Sequence, residues 1–132
     1  MANAIYPKAK ENLLKGNINL MSDTIKLVLV DGADYTYSTG HDALADIPAG
    51  ARVGTSPALT GKTVTNGVFD AANLTISNVT GDEFEIAILY VDSGSEATSF
   101  LMAYMDEQPS LIPNGGDVNI NWSDTASKIF QI

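Results

Sequence analysis

The chain has 132 residues, seven Lys and Arg against sixteen Asp and Glu for a formal net charge of −9, and no cysteine. Disulfides, thiolate metal sites and cysteine nucleophiles are thereby excluded. The charge argues against direct nucleic-acid binding, which needs clustered cations to displace counterions from phosphates. The length suits one domain, 1–132, large enough to bury a real core without staples.

Residues 4–15, AIYPKAKENLLK, read as an N-terminal helix or arm. Pro7 suits the first turn, where its missing N–H costs nothing, and Gly16 stands where a helix stop belongs. Tyr6, Ala9 or Lys10, and Leu13 share one face, flanked by the basic Lys8, Lys10 and Lys15. No apolar run approaches the ~18 residues of a membrane span, and the N-terminus lacks the apolar core of a secretory signal. The expectation is a soluble product of a reducing cytoplasm with no membrane partner.

From residue 24 to 132 the texture is β. Residues 25–30, IKLVLV, alternate weakly, as in a strand buried on both faces. The loop DGADYTYSTG leads into HDALADI, which reads as a helical turn, and AGARVGTSPAL is a strand broken at Pro57. Asn66-Gly67 between Val64 and Val68 is a hairpin signal, because Asn-Gly tolerates the positive φ of a type I′ turn. Residues 73–79 alternate as a half-buried strand. In 84–91 Phe84, Ile86, Ile88 and Tyr90 form one face, and Glu85, Ala87, Leu89 and Val91 the other. A strand follows at 99–106, then the PNGG turn and two closing strands, the last ending on Ile129, Phe130 and Ile132. This spacing predicts an all-β fold, an antiparallel β-sandwich of jelly-roll-like form with one short N-terminal α-helix.

The chemistry on offer is sparse. His41 is the sole histidine, and Asp42 beside it is badly placed to orient it as a triad would require. Asp31, Asp34, Asp42 and Asp46 crowd one loop, and Asp92 and Glu96 flank another. Convergent loop carboxylates can hold Ca²⁺, yet the spacing is not that of an EF-hand, so turn caps and solvated acids are the expectation. No catalytic residue, cofactor or metal is expected. Tyr35 and Tyr37, on one side of an extended loop, could form an exposed aromatic platform for a sugar or a partner protein. Trp122, after Val118 and Ile120 on an alternating strand, is expected in the core.

The blocks MANAIYPKAKENLLKGNINLMSDTIKLVLVD and HDALADIPAGARVGTSPALTGKTVTNGVFDA together resemble a family of small virion proteins from tailed bacteriophages and prophages. ILYVDSGSEATSFLMAYMD and PNGGDVNINWSDTASKIFQI are similar to the same family's second half, so the likeness spans nearly the whole chain. These blocks are structural signatures and not catalytic motifs. The resemblance implies a head decoration, or cement, protein: a small β-domain on the capsid exterior, assembled in the host cytoplasm, that stabilises the expanded head. Its implied partners are the major capsid protein and copies of itself, as trimers at three-fold positions. A tail or fibre component, or a carbohydrate- or receptor-binding module, is the alternative.

In that setting Lys8, Lys10 and Lys15 are candidates to meet an acidic capsid surface. The terminal Ile129, Phe130 and Ile132 either close the subunit's own sandwich or add to a neighbour's sheet edge, the strand-addition mode of recognition.

Overall fold

The computed structural model describes residues 4–106, 110–122 and 129–131. Its centre is a five-stranded antiparallel sheet in the order β1 (Ala4–Ile5), β8 (Leu101–Met105), β7 (Ile86–Val91), β2 (Ile25–Val30), β3 (Arg52–Thr55). Among the described residues, two smaller antiparallel units accompany it. One joins β10 (Phe130–Gln131), β5 (Val68–Asp70) and β4 (Thr63–Thr65); the other pairs β6 (Leu74–Ile76) with β9 (Val118–Ile120). The all-β, antiparallel, sandwich-like class with one short helix is therefore the observed one. These pairings do not establish a jelly-roll connectivity.

The helix is shorter than residues 4–15. It runs over α1 (Pro7–Leu14), and the residues before it are strand. A residue preceding proline is pushed out of the α region by the proline ring, and Tyr6 sits at φ −57°, ψ 132°. The backbone ahead of it is instead used by β8: Ala4 pairs with Tyr104, Ile5 with Ala103, and the Tyr6 N–H donates to the Met102 carbonyl at 3.0 Å. At the other end Gly16, at φ +77°, takes the left-handed position. The Gly16 N–H reaches the Leu13 carbonyl (3.2 Å) and the Asn17 N–H the Asn12 carbonyl (2.8 Å), the paired bonds of a Schellman stop. No helix among the described residues is long and apolar enough to cross a membrane.

Local turn chemistry decides the rest of the connections. Asn66 (φ 52°) and Gly67 (φ 78°) make the tight turn between β4 and β5, with Thr65 opposite Val68. Pro57 interrupts the strand after Thr55, but the chain still follows β2: the Ser56 N–H bonds Leu27 and the Leu59 N–H bonds Ile25, each at 2.8 Å. Ser56 Oγ in turn accepts the Leu27 N–H at 2.8 Å, so the break created by an imino acid is spanned by a buried hydroxyl.

Strands β2 and β7 are almost entirely buried, which their near-continuous apolar sequences require. Alternation sends Leu27, Leu29, Ala87, Leu89 and Ala103 to one face, and Val28, Val30, Ile86, Ile88 and Tyr104 to the other. The β6 segment and the turn beyond it cover the first face. A Cβ on Gly54 of β3 would meet Val79 at 3.6 Å, Ile76 at 3.7 Å and Leu29 at 3.8 Å, ordinary van der Waals separations that place the β6 segment directly over this face. The second face is covered by α1 and the long 31–51 connection, which brings in Tyr6, Tyr35, Ile47 and Ala51, all buried. Both covers belong to one continuous hydrophobic cluster.

Candidate functional site: a tyrosine-lined acidic cleft

Tyr35 and Tyr37 are two residues apart on extended chain, so their rings leave the backbone on the same side. That side faces inward. Tyr35 is only 5 % exposed and Tyr37 half-buried, because β8 offers Tyr104 and the entry to α1 offers Tyr6 as aromatic surface. The Tyr37 ring lies 5.0 Å from Tyr104 and 5.0 Å from Tyr6, and Tyr6 meets Tyr104 edge-on at 6.4 Å. These separations suit offset and edge-to-face aromatic contact. A platform of two exposed rings is thus not what these tyrosines form. They are the outer part of a four-tyrosine layer on the sheet.

A chain of hydrogen bonds fixes this layer. The Tyr6 and Tyr35 hydroxyls are 2.8 Å apart, and the Tyr35 hydroxyl is 2.8 Å from His41 Nδ1. The lone histidine is therefore the outer end of a buried relay that ties the helix entry to the 31–51 connection. Burial pushes the Tyr6 phenol far above its ordinary range, and the bond to Tyr35 and the neighbouring phenols add to the effect. Burial likewise raises Tyr35. Tyr104 is pushed up to about 12, first by burial and then by the charge of Asp106 and a hydrogen bond to it.

Beside Tyr37 the surface opens into a cleft of about 480 Å³, within the range of small-ligand sites. Buried Tyr35, Ile86 and Tyr104 line its depth, and half-buried Tyr37, Glu85 and Asp106 line it nearer solvent. Glu85 is positioned by the backbone: its Oε2 accepts the Gly32 N–H at 2.7 Å. A side chain on Gly32 would collide with that carboxylate, since a Cβ there would come within 2.9 Å of Oε2.

The other acids are divided among separate tasks. Asp46 Oδ2 accepts the N–H groups of Asp42 (2.9 Å) and Ala43 (3.2 Å), capping the 3₁₀ turn at Leu44–Asp46. Those bonds, the Asp42 N–H foremost, hold the Asp46 carboxyl below the usual range. Asp92 is held low by its bond to Lys26, 2.7 Å away, and by the Gly94 N–H; Lys26 is raised by the same bond. Arg52 bonds the carbonyls of Leu44 (2.9 Å) and Ile47 (2.7 Å) and pairs with Glu96 at 2.9 Å, which lowers the Glu96 carboxyl. Asp31 and Asp34 come together with Asp82, their oxygens within 4.8 Å of one another. Three carboxylates fall short of the six to eight oxygens of a Ca²⁺ site, and Asp31 already accepts the Ala33 N–H at 2.9 Å.

The remaining candidates lie elsewhere. Lys8 and Lys15 share Glu11, at 3.1 and 4.0 Å, and Lys10 is exposed on the same helix. At the far terminus the Ile129 N–H donates to Phe69 at 3.2 Å, and Phe130 stacks on Phe69 at 5.2 Å and pairs with it in the ladder. The strand thus extends its own subunit's hairpin; Ile132 is outside the described residues. Trp122 is half-buried against the core, its Nε1–H donating to the Ala72 carbonyl at 3.1 Å.

The contributions of Tyr104, Glu85 and Asp106 to the cleft, of Tyr6 to the tyrosine layer and of Asp82 to the acid cluster were missed in the sequence. Only the alternation of 84–91 carried a signal, by marking Glu85 as the one acid on a strand otherwise turning apolar. No protein-family model matches the chain, and no curated protein does.

Proposed function

We propose that the chain works by binding and not by catalysis, as a structural component of a tailed-phage virion, and most concretely as a decoration protein on the exterior of the expanded capsid. The observation that carries the non-catalytic part is how the reactive groups are spent. His41 ends a relay to Tyr35 and Tyr6, Asp46 caps a turn, Asp92 holds Lys26, and Glu96 holds Arg52. Each is engaged in keeping the domain's own shape. The virion part is supported by the resemblance of the four sequence blocks to small phage virion proteins.

Physical economy favours the same reading. A cement subunit acts through modest contacts repeated over a lattice, where each bound neighbour raises the effective concentration for the next. A domain with a sheet buried on both faces suits that task, because it transmits load without rearranging. Its −9 charge makes coated particles repel one another, which favours colloidal solubility. The partners in this reading are the major capsid protein and further copies of the chain, arranged as trimers.

The test is co-sedimentation of the purified chain with expanded phage heads that lack it, counting copies per particle. Saturation at a number matching the capsid lattice is the expected result. Absence of binding would overturn the capsid assignment and favour a tail or fibre position.

A further inference from the structure

We propose that Asn66 is a site of spontaneous backbone modification, where the folded chain loses a side-chain amide and reroutes its main chain through isoaspartate. Asn precedes Gly at Asn66-Gly67 and Asn114-Gly115, and Asp precedes Gly at Asp31-Gly32. These pairs share one reactivity. The glycine nitrogen can attack the preceding side-chain carbonyl carbon, because no Cβ on the glycine obstructs the approach. At Asn66 the Gly67 nitrogen bonds to Cγ, the Cγ–Nδ2 bond breaks, and ammonia leaves with the glycine's proton. Water then opens the succinimide ring, its hydroxyl going to carbon and its proton to nitrogen. Opening at Cγ yields Asp on the ordinary main chain. Opening at the main-chain carbonyl carbon yields isoaspartate, with the chain one methylene longer. Either product carries one more negative charge.

The three pairs differ in what holds the attacking nitrogen. The Gly32 N–H donates to Glu85 Oε2 at 2.7 Å, and Asp31 is buried. The Gly115 N–H donates to the Val79 carbonyl at 2.8 Å, and the Val79 N–H returns a bond to Gly116 at 3.0 Å. Asn114 Oδ1 is itself engaged, accepting the Gly116 N–H at 2.9 Å. At the first Asn-Gly pair, by contrast, neither the Gly67 N–H nor the Asn66 amide makes a hydrogen bond among the described residues. Exposure does not separate the two asparagines, since both are exposed. Hydrogen bonding does.

Ring closure requires Asn66 to leave its left-handed conformation, φ 52°. That conformation is disfavoured for any residue with a side chain and is held here by the pairing of Thr65 with Val68. β4 is short and exposed along its whole length, the kind of segment that opens locally at small cost. Asn114 must break its three bonds as well, which should slow its opening by about tenfold or more. The products also differ. Asp tolerates the left-handed turn, whereas the extra methylene of isoaspartate no longer fits a two-residue hairpin loop, whose length sets the register of β4 on β5.

The inference goes beyond the proposed function and does not depend on it. The full-length chain is aged at mildly alkaline pH, once folded and once in urea, and mapped by mass spectrometry with an isoaspartate-specific methyltransferase as second readout. In the folded chain Asn66 should convert at least about tenfold faster than Asn114, and in urea the two should convert at similar rates. Folded chain aged to isoaspartate at 66 should have a lower urea midpoint than Asn66→Asp, which adds the charge without the methylene. An Asn66 that converts in urea but not in the fold would overturn the proposal, as would equal rates at the two sites in the folded chain. A preference for Asn66 that persists in urea would show that local sequence and not the fold selects it, which also overturns the structural assignment.

Discussion

The two covers of the central sheet solve one problem with different physics. On the Leu29 face, β6 and the turn beyond it approach as a dry layer, with Ile76 and Val79 against Gly54 and Leu29. On the Tyr104 face, α1 and the 31–51 connection are held by polar atoms on apolar bodies: a Tyr–Tyr–His relay and an arginine fork on two carbonyls. Dispersion and area burial are non-directional, so a dry layer tolerates small shifts. Hydrogen bonds fix geometry and are costly when half-made. A cleft of defined shape therefore belongs on the second face, and that is where it lies.

The largest expected effect breaks apolar packing. Phe69 is fully buried and stacks on Phe130, so Phe69→Ala should cost about 3–5 kcal/mol, seen as a lower urea midpoint. It should also release β10, whose pairing and ring contact both end on Phe69. An unchanged midpoint would mean that the β4–β5–β10 unit adds little to the core.

On the polar side the expected losses are smaller and depend on geometry. Arg52→Ala strips the Leu44 and Ile47 carbonyls of a charged donor and should cost about 1.5–3 kcal/mol, whereas Glu96→Gln should shift the midpoint far less, since Glu96 is 60 % exposed and solvent screens the pair. Tyr35→Phe should cost about 1–2 kcal/mol, because it removes the middle of the relay and strands two partners at once. Tyr6→Phe removes an end and should cost less. If the two tyrosine variants are equal in urea melts, the relay is a set of independent contacts and not a chain.

How much of this was legible follows the range of the interactions. The hairpin at Asn66-Gly67, the stop at Gly16 and the break at Pro57 depend on a few consecutive residues, and each is found where the sequence places it. The β texture of 25–30 and 84–91 was readable because burial on both faces demands apolar runs. The helix start was misplaced even though the signal was local: Tyr6 stands before Pro7, which bars it from the helix. The cleft was not legible, because it depends on β8 pairing with β1 and so bringing Tyr104 beside Tyr6. Without that register Tyr35 and Tyr37 look like rings in search of an external partner. The four aspartates of 31–46 failed to act together for the same reason, since Asp46 caps a turn that takes in the Asp42 N–H, while Asp31 and Asp34 meet Asp82 across the fold.

Alkaline titration sharpens the contrast, because the raised phenols sit on the Tyr104 face. A tyrosine in the unfolded chain loses its proton near pH 10, while folded Tyr104 keeps it to about 12 and Tyr6 beyond that. Between those values the unfolded state binds fewer protons than the folded one, so stability is intact below pH 10 and falls as pH rises. Tyr104→Phe should flatten the fall between pH 10 and 12, measured by urea midpoints at each pH. The acid limb has the opposite sign: Asp46 and Asp92 are held low, so their contribution is present above the ordinary carboxylate range and lost as pH falls through their folded values.

The smallest effect on stability falls on the exposed flank of α1, where the proposed capsid contact would make it the most visible in binding. Glu11 partly neutralises Lys8 and Lys15, and such surface pairs contribute about 0.5 kcal/mol or less. Glu11→Gln should therefore leave the urea midpoint almost unchanged while raising the net charge of the flank by one. If the lysines face an acidic shell, its affinity for heads should increase, most clearly at low salt where screening is weakest. Reversing Lys8, Lys10 and Lys15 to Glu should do the opposite with the fold intact. Head binding indifferent to both changes would remove α1 from the contact and leave the Tyr104-face cleft as the surface to pursue.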